Sequence, residues 1–173
     1  MDFKIIKHTG RFLIMIGIQL LILNQIHFSG FITPYLYPLF ILLLPFNIKG
    51  YTLLLTAFFT GLVIDIFSDS PGMHASATLI MAFLRPAVIS LITVKTEFDQ
   101  DIEPRFDFMG AGWVFIYTLI LIFIHHLSLF TLEIFRFADY GETMLQTILS
   151  TAFSVGLIML AHILMGTQKK TKT

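Results

Sequence analysis

Residues 61–74 read Gly61-Leu-Val-Ile-Asp65-Ile-Phe-Ser-Asp-Ser-Pro71-Gly72-Met-His74 and run on to Arg85-Pro86, where an otherwise oily chain carries its charges. Gly61 and Asp65 lie four residues apart, so on a helix they share a face, and Ala57 keeps that face small one turn earlier. Ser68-Asp-Ser-Pro-Gly72 is turn chemistry that ends one helix, and an apolar helical run resumes after it. The unit therefore predicts a helical hairpin whose small-residue face lets a partner helix come close. On the second arm His74, Thr78, Met81 and Arg85 fall at spacings of four, three and four, which sets the His and the Arg on one stripe. That stripe should face protein, not lipid.

Working outward, the 173 residues are 56% hydrophobic and only 13% charged, with a mean hydropathy of +0.84. A soluble domain of this size could not hide that much apolar surface, which predicts an integral membrane protein of one domain, 1–173. Cysteine is absent, which excludes disulfides, thiolate catalysis and Cys-based metal sites. The 19 phenylalanines read as lipid-facing bulk and packing filler. Lys4, Lys7 and Arg11 before an apolar run imitate a signal peptide, but no small-x-small cleavage site follows, so the run is expected to stay as a first span.

Hydropathy predicts an all-α fold of six transmembrane spans, at about 12–28, 33–46, 51–67, 73–94, 110–135 and 144–165. The second is short and holds Pro34, Pro38 and Pro45, so it is expected to be tilted, kinked or partly re-entrant. Trp113 and Tyr117 open the fifth as interfacial aromatics. With both termini in the cytoplasm, Lys4, Lys7, Arg11, Lys49, Lys95, Arg105, Lys169, Lys170 and Lys172 fall on the cytoplasmic side and Arg136 alone outside. The connection 95–110 is acidic, with Glu97, Asp99, Asp101, Glu103 and Asp107 against Lys95 and Arg105. It reads as a solvated loop, or as a contact for a cytoplasmic partner.

Ionisable residues inside a span face the interior or pair with one another. Asp65 lies near the outer end of its helix and Arg85, twelve residues beyond Met73, about 18 Å from the outer surface at about 1.5 Å per residue, so the two should not pair directly. Asp65 is expected to cap the hairpin with Ser68 or Ser70, or to serve a partner; Arg85 can snorkel towards the cytoplasm beside Pro86. His125 and His126 are adjacent and diverge by about 100° on a helix, which rules out their chelating one ion as an i, i+4 pair. One of them should turn inward for a hydrogen bond. No metalloprotease, hydrolase-elbow or phosphate-loop motif occurs, so no enzyme, metal or cofactor is expected, nor a nucleic-acid partner. Thr147, Ser150, Thr151, Ser154 and His162 share a side of the last span and predict close packing with hydrogen bonds between helices, or a substrate groove.

With those residues in hand, the chain resembles the rod shape-determining MreD family. The basic N-terminus, six spans, Gly61-x-x-x-Asp65-x-Phe67 with Gly72-x-His74-Ala75, and Arg85-Pro86 in the fourth span carry the resemblance over nearly the whole length. It implies a non-enzymatic scaffold of the bacterial inner membrane that binds an MreC-like partner, linked to the peptidoglycan synthases of the elongation complex, with MreB filaments on the cytoplasmic face. It also implies a fold similar to the S-components of vitamin transporters, and with it a second reading, small-solute binding or transport. On the first reading Ala57, Gly61, Asp65, Gly72, His74, Arg85 and Pro86 shape the hairpin that packs internally or receives the partner.

Overall fold

The computed structural model describes residues 2–25, 32–93, 102–134 and 140–165. Among them the elements are α1 (Asp2–Leu21), a 3₁₀ turn (Leu23–Gln25), α2 (Leu39–Leu42), α3 (Gly50–Ser68), α4 (Met73–Ile92), α5 (Phe106–Met109), α6 (Ala111–Ile134) and α7 (Tyr140–Leu164). Four of them, α3, α4, α6 and α7, are long and apolar enough to cross a membrane. They pack in the order α3 on α4, α4 on α6 and α6 on α7. Leu55, Phe59, Ile66, Phe83, Leu91, Leu160 and Ile163 point outward, as a lipid-facing surface requires, while Leu53, Ala57, Met81, Leu121, Ile122 and Ile158 fill the core.

Two ends can be told apart by what meets there. Arg11 of α1 pairs with Glu103 at 2.9 Å, and the Arg105 guanidinium donates to the Met165 carbonyl at the end of α7. Phe106 stacks on His162 at 4.9 Å. The described half of the acidic connection is thus folded against the bundle, with Glu103 and Arg105 both buried; it is not the solvated loop expected there. At the opposite end Asn24 donates to Ser68 beside the α3–α4 turn. Lys95, Arg136 and the C-terminal lysines, which carry much of the expected charge asymmetry, lie outside the described residues.

Residues 33–46 depart most from expectation. They form no spanning helix. Apart from the single turn α2, the chain is extended or turned, and Pro34 to Leu44 is buried at every position. The cause is the prolines: each lacks an N–H, and each clashes with a helical carbonyl four residues earlier, so Pro38 can begin a turn of helix but not sit within one.

A non-helical backbone in an apolar bundle must find partners for its polar groups, since each one left bare costs several kcal/mol. Here the N–H groups account in full. Thr33 and Tyr35 donate to the Ser150 and Ser154 hydroxyls of α7 at 3.1 and 2.9 Å. Leu36 and Tyr37 donate to the Gln19 side-chain oxygen of α1 at 2.7 and 3.4 Å, and the Gln19 amide returns a bond to the Pro34 carbonyl. From Leu39 to Leu44 each N–H closes a local turn, and Phe46 donates to the Ile102 carbonyl. Positions 34, 38 and 45, the remaining three, are the prolines.

The other end of the segment is held by carbonyls. Arg85 is 1% exposed and does not snorkel. Its Nε donates to the Tyr117 hydroxyl at 2.7 Å, its Nη2 donates to the Leu44 carbonyl, and Tyr117 donates to the Leu42 carbonyl at 3.1 Å. Tyr117 is therefore a buried strut, not the interfacial aromatic expected. Trp113 stacks on it at 4.9 Å and donates to Thr93. The helix α4 runs on through Pro86, which is exposed.

Replacing Gln19 with Leu removes the partner of two amides and one carbonyl, at about 1–3 kcal/mol for each buried group left bare. Unfolding in mixed micelles should show this loss. Ser76→Ala, which removes an exposed bond within α4, serves as the control; equal stability of the two variants would contradict the assignment.

Candidate functional site

The α3–α4 hairpin is built around one carboxylate. The left-handed Asp69 (φ 49°) ends α3 by donating its N–H to the Asp65 carbonyl, and Gly72 (φ 78°) starts α4 in a conformation that side chains resist. Asp65 then reaches across the turn. Its Oδ1 accepts from the His74 N–H at 2.9 Å and from the Ser70 hydroxyl at 2.7 Å, while Oδ2 accepts from the Ala75 N–H at 2.8 Å. A buried negative charge sits at a helix N-terminus, where free N–H groups and the helix dipole both favour it. Asp65 and Arg85 do not pair; each has its own partners.

Close approach of the two arms depends on Gly61. A Cβ there would lie 2.5 Å from both the Ala75 Cα and the His74 carbonyl oxygen. The small face of Ala57 and Gly61 is thus filled by the chain's own α4, and no groove for a partner helix remains on it. His74 and Arg85 are buried on the α4 stripe with Thr78 and Met81, facing protein.

Inside the hairpin, α6 and α7 complete a polar cluster around Tyr35 and Tyr37. Both His125 and His126 point inward, not one alone. Nδ1 of His126 lies 2.8 Å from the Ile122 carbonyl, which can only accept, so Nδ1 carries a proton, and Nε2 lies 3.2 Å from the Ser154 hydroxyl. The Ser154 hydroxyl therefore links the Tyr35 amide to the His126 ring. The Tyr37 hydroxyl has one proton and three neighbours, His125 Nε2 at 2.6 Å, His74 Nδ1 at 3.1 Å and Thr78 Oγ1 at 3.2 Å. Thr78 already donates to the His74 carbonyl. If Tyr37 donates to His125, then His74 donates to Tyr37 and its Nε2 is an acceptor; if Tyr37 donates to His74, that Nε2 is a donor. The two arrangements of the Tyr37 proton go with opposite tautomers of His74, and so with opposite polarity at its free ring edge.

Next to this cluster, at the Asn24–Ser68 end, a cavity of about 970 Å³ opens between α1, the hairpin turn, α6 and α7. Tyr35 and His74 form its buried floor, Asn24, Thr33 and Gln146 contribute half-buried polar groups to its wall, and Asp69 and Glu133 are exposed. A second, mostly apolar groove of about 550 Å³ runs between α1 and α3, past Phe12, Thr52, Thr56, Phe59 and Thr60. Sequence reasoning singled out the hairpin and the Ser/Thr stripe, missed Gln19, Tyr35 and Tyr37, and put Tyr117 at the interface instead of in the core. The proline trio was the available signal, since a buried non-helical stretch demands side-chain partners.

Fold and site together define an all-helical protein that has, among the described residues, four helices long and apolar enough to span a membrane and a polar cavity at one end of the bundle. Neither family models, nor curated proteins, nor solved structures match this chain.

Gly61→Ala should force the arms apart and cost about 1–3 kcal/mol, as overpacking of a close contact does. Gly156→Ala is the comparison, because a Cβ there meets nothing within 4 Å and helix propensity favours Ala. Thermal unfolding of the two variants checks this; an equally stable Gly61→Ala would show that the arms are not in tight contact.

Proposed function

We propose that this chain is a non-enzymatic scaffold of the bacterial inner membrane, acting in the cell-elongation complex as the MreD proteins it resembles do, and that it holds a membrane helix of an MreC-like partner between α1 and α3. The chain crosses the bilayer six times on this reading, five times as helices and once as the buried stretch 33–46, with both termini cytoplasmic. Its partner in turn connects to peptidoglycan synthases, and MreB lies on the cytoplasmic face.

The observation that carries the proposal is the α1–α3 groove. Docking moves round α3 by one residue, about 100°, from the filled face of Ala57 and Gly61 to that of Thr52 and Thr56, with the buried Thr60 at the inner end of the groove. Thr60 returns its hydroxyl to the Thr56 carbonyl at 2.7 Å. Small side chains four residues apart leave room for a helix ridge, and close packing of that kind is what joins helices in lipid. From Thr52 to Val63 the groove follows α3 for about 16 Å at 1.5 Å per residue, three turns of a docked helix. The contact of Arg11 with Glu103 and of Arg105 with the end of α7 supports the two termini sharing a side. The second reading, small-solute binding, is favoured by the cavity at the other end.

Thr56→Trp fills the groove and should lower co-purification of the partner at least tenfold, with rounded or widened cells. Phe83→Trp, on the outward face of α4, should leave both unchanged. Retention of the partner by Thr56→Trp would remove the groove as the docking site.

A further inference from the structure

We infer that the cavity beside the α3–α4 turn binds a small organic cation, an ammonium carried on a short aromatic or aliphatic body. The inference deepens the small-solute reading by naming a ligand class. It needs no partner protein, so its failure and the failure of the scaffold reading are separable.

Three features carry it. The cavity, about 970 Å³, is at the upper end of the size range that small-molecule sites occupy. Its floor holds a polar group with no use inside the fold: Tyr35 is 8% exposed, its amide is taken by Ser154, and its hydroxyl has no hydrogen-bond partner among the described residues. His74 adjoins it, with Nδ1 engaged by Tyr37 and Nε2 without a partner among the described residues. Both residues line the open cavity, where a ligand can complete the hydrogen bonds that the fold leaves unmade.

Charge selects the ligand. The described lining contributes two carboxylates, Asp69 and Glu133, and no lysine or arginine, while the nearby Asp65 charge is already met by the α4 N-terminus. A concave site with walls of one sign raises the local concentration of opposite charge. The Tyr35 hydroxyl and the side-chain carbonyl of Gln146 suit the ammonium, since each can accept a hydrogen bond from it.

Gly17 supplies the test. It lines the cavity from α1, and a Cβ there meets nothing within 4 Å, so a large side chain can enter the space without displacing the fold. The purified chain, in phosphatidylglycerol nanodiscs, is titrated calorimetrically with tyramine, with tyrosol, its neutral isostere, and with 4-hydroxyphenylacetate, its anionic counterpart. Tyramine should bind at least tenfold more tightly than either. Gly17→Phe should abolish that binding, and Glu133→Gln should weaken it several-fold, both with unchanged melting temperature in the absence of ligand. Discs containing phosphatidylethanolamine separate two sources of the same chemistry: weaker tyramine binding there assigns the site to a lipid ammonium, and unchanged binding assigns it to a soluble amine. The inference is overturned if tyramine fails to bind at millimolar concentration in phosphatidylglycerol discs, if tyrosol binds as well, or if folded Gly17→Phe binds like the unaltered chain.

Discussion

A stretch of backbone with only one turn of helix lies buried through the middle of this bundle, and the hydrogen-bonding groups its own turns leave open must be met by side chains. That requirement explains polar residues that otherwise look misplaced in an apolar protein. Gln19 serves Pro34, Leu36 and Tyr37, while Ser150 and Ser154 serve Thr33 and Tyr35; Arg85 and Tyr117 hold the carbonyls of Leu42 and Leu44. Helices α1, α4, α6 and α7 are thereby tied to one shared cord. Van der Waals packing between helices in lipid is only weakly directional, whereas these bonds fix which helix faces which.

The same logic separates the structural from the available. Asp65 has the position and burial of a functional carboxylate, yet its oxygens are occupied by the Ser70 hydroxyl and the first amides of α4. Arg85, the deepest charge described, is consumed by a carbonyl and a phenol. Of the open spaces among the described residues, the two larger are the groove between α1 and α3 and the cavity floored by Tyr35 and His74. Functions proposed for this chain belong to those two places, one turned to lipid and the other at the end where the hairpin turns.

Much of the helical frame was legible in the sequence. The turn at Ser68–Gly72, the stripe from His74 to Arg85, and helices at 50–68, 73–92, 111–134 and 140–164 follow from hydropathy, period and turn residues, each acting over a few positions. The path of residues 33–46 was not, because hydropathy measures burial in oil and cannot tell a helix from an irregular stretch wrapped in protein. Bonds such as Tyr35 to Ser154 join residues 119 positions apart and leave no local pattern. The Ser/Thr stripe of α7 is visible in the sequence, but its spacing, which suggests either a neighbouring helix or a substrate groove, does not show that it meets the irregular stretch at Thr33 and Tyr35. At the hairpin the small residues were visible too, and whether they face a stranger or the chain itself depends on the arm that folds back, which spacing does not encode.

The most direct measurement of the account is residue-resolved hydrogen exchange of the chain in lipid nanodiscs, read at the amides of Tyr35, Leu36 and Tyr37. Those amides are predicted to exchange as slowly as the central amides of α6, near Leu121 and Ile122, because they are buried and bonded to Ser154 and Gln19. Exchange at the rate of an open loop, with α6 still protected, would contradict the claim that a buried, side-chain-satisfied cord holds the bundle together.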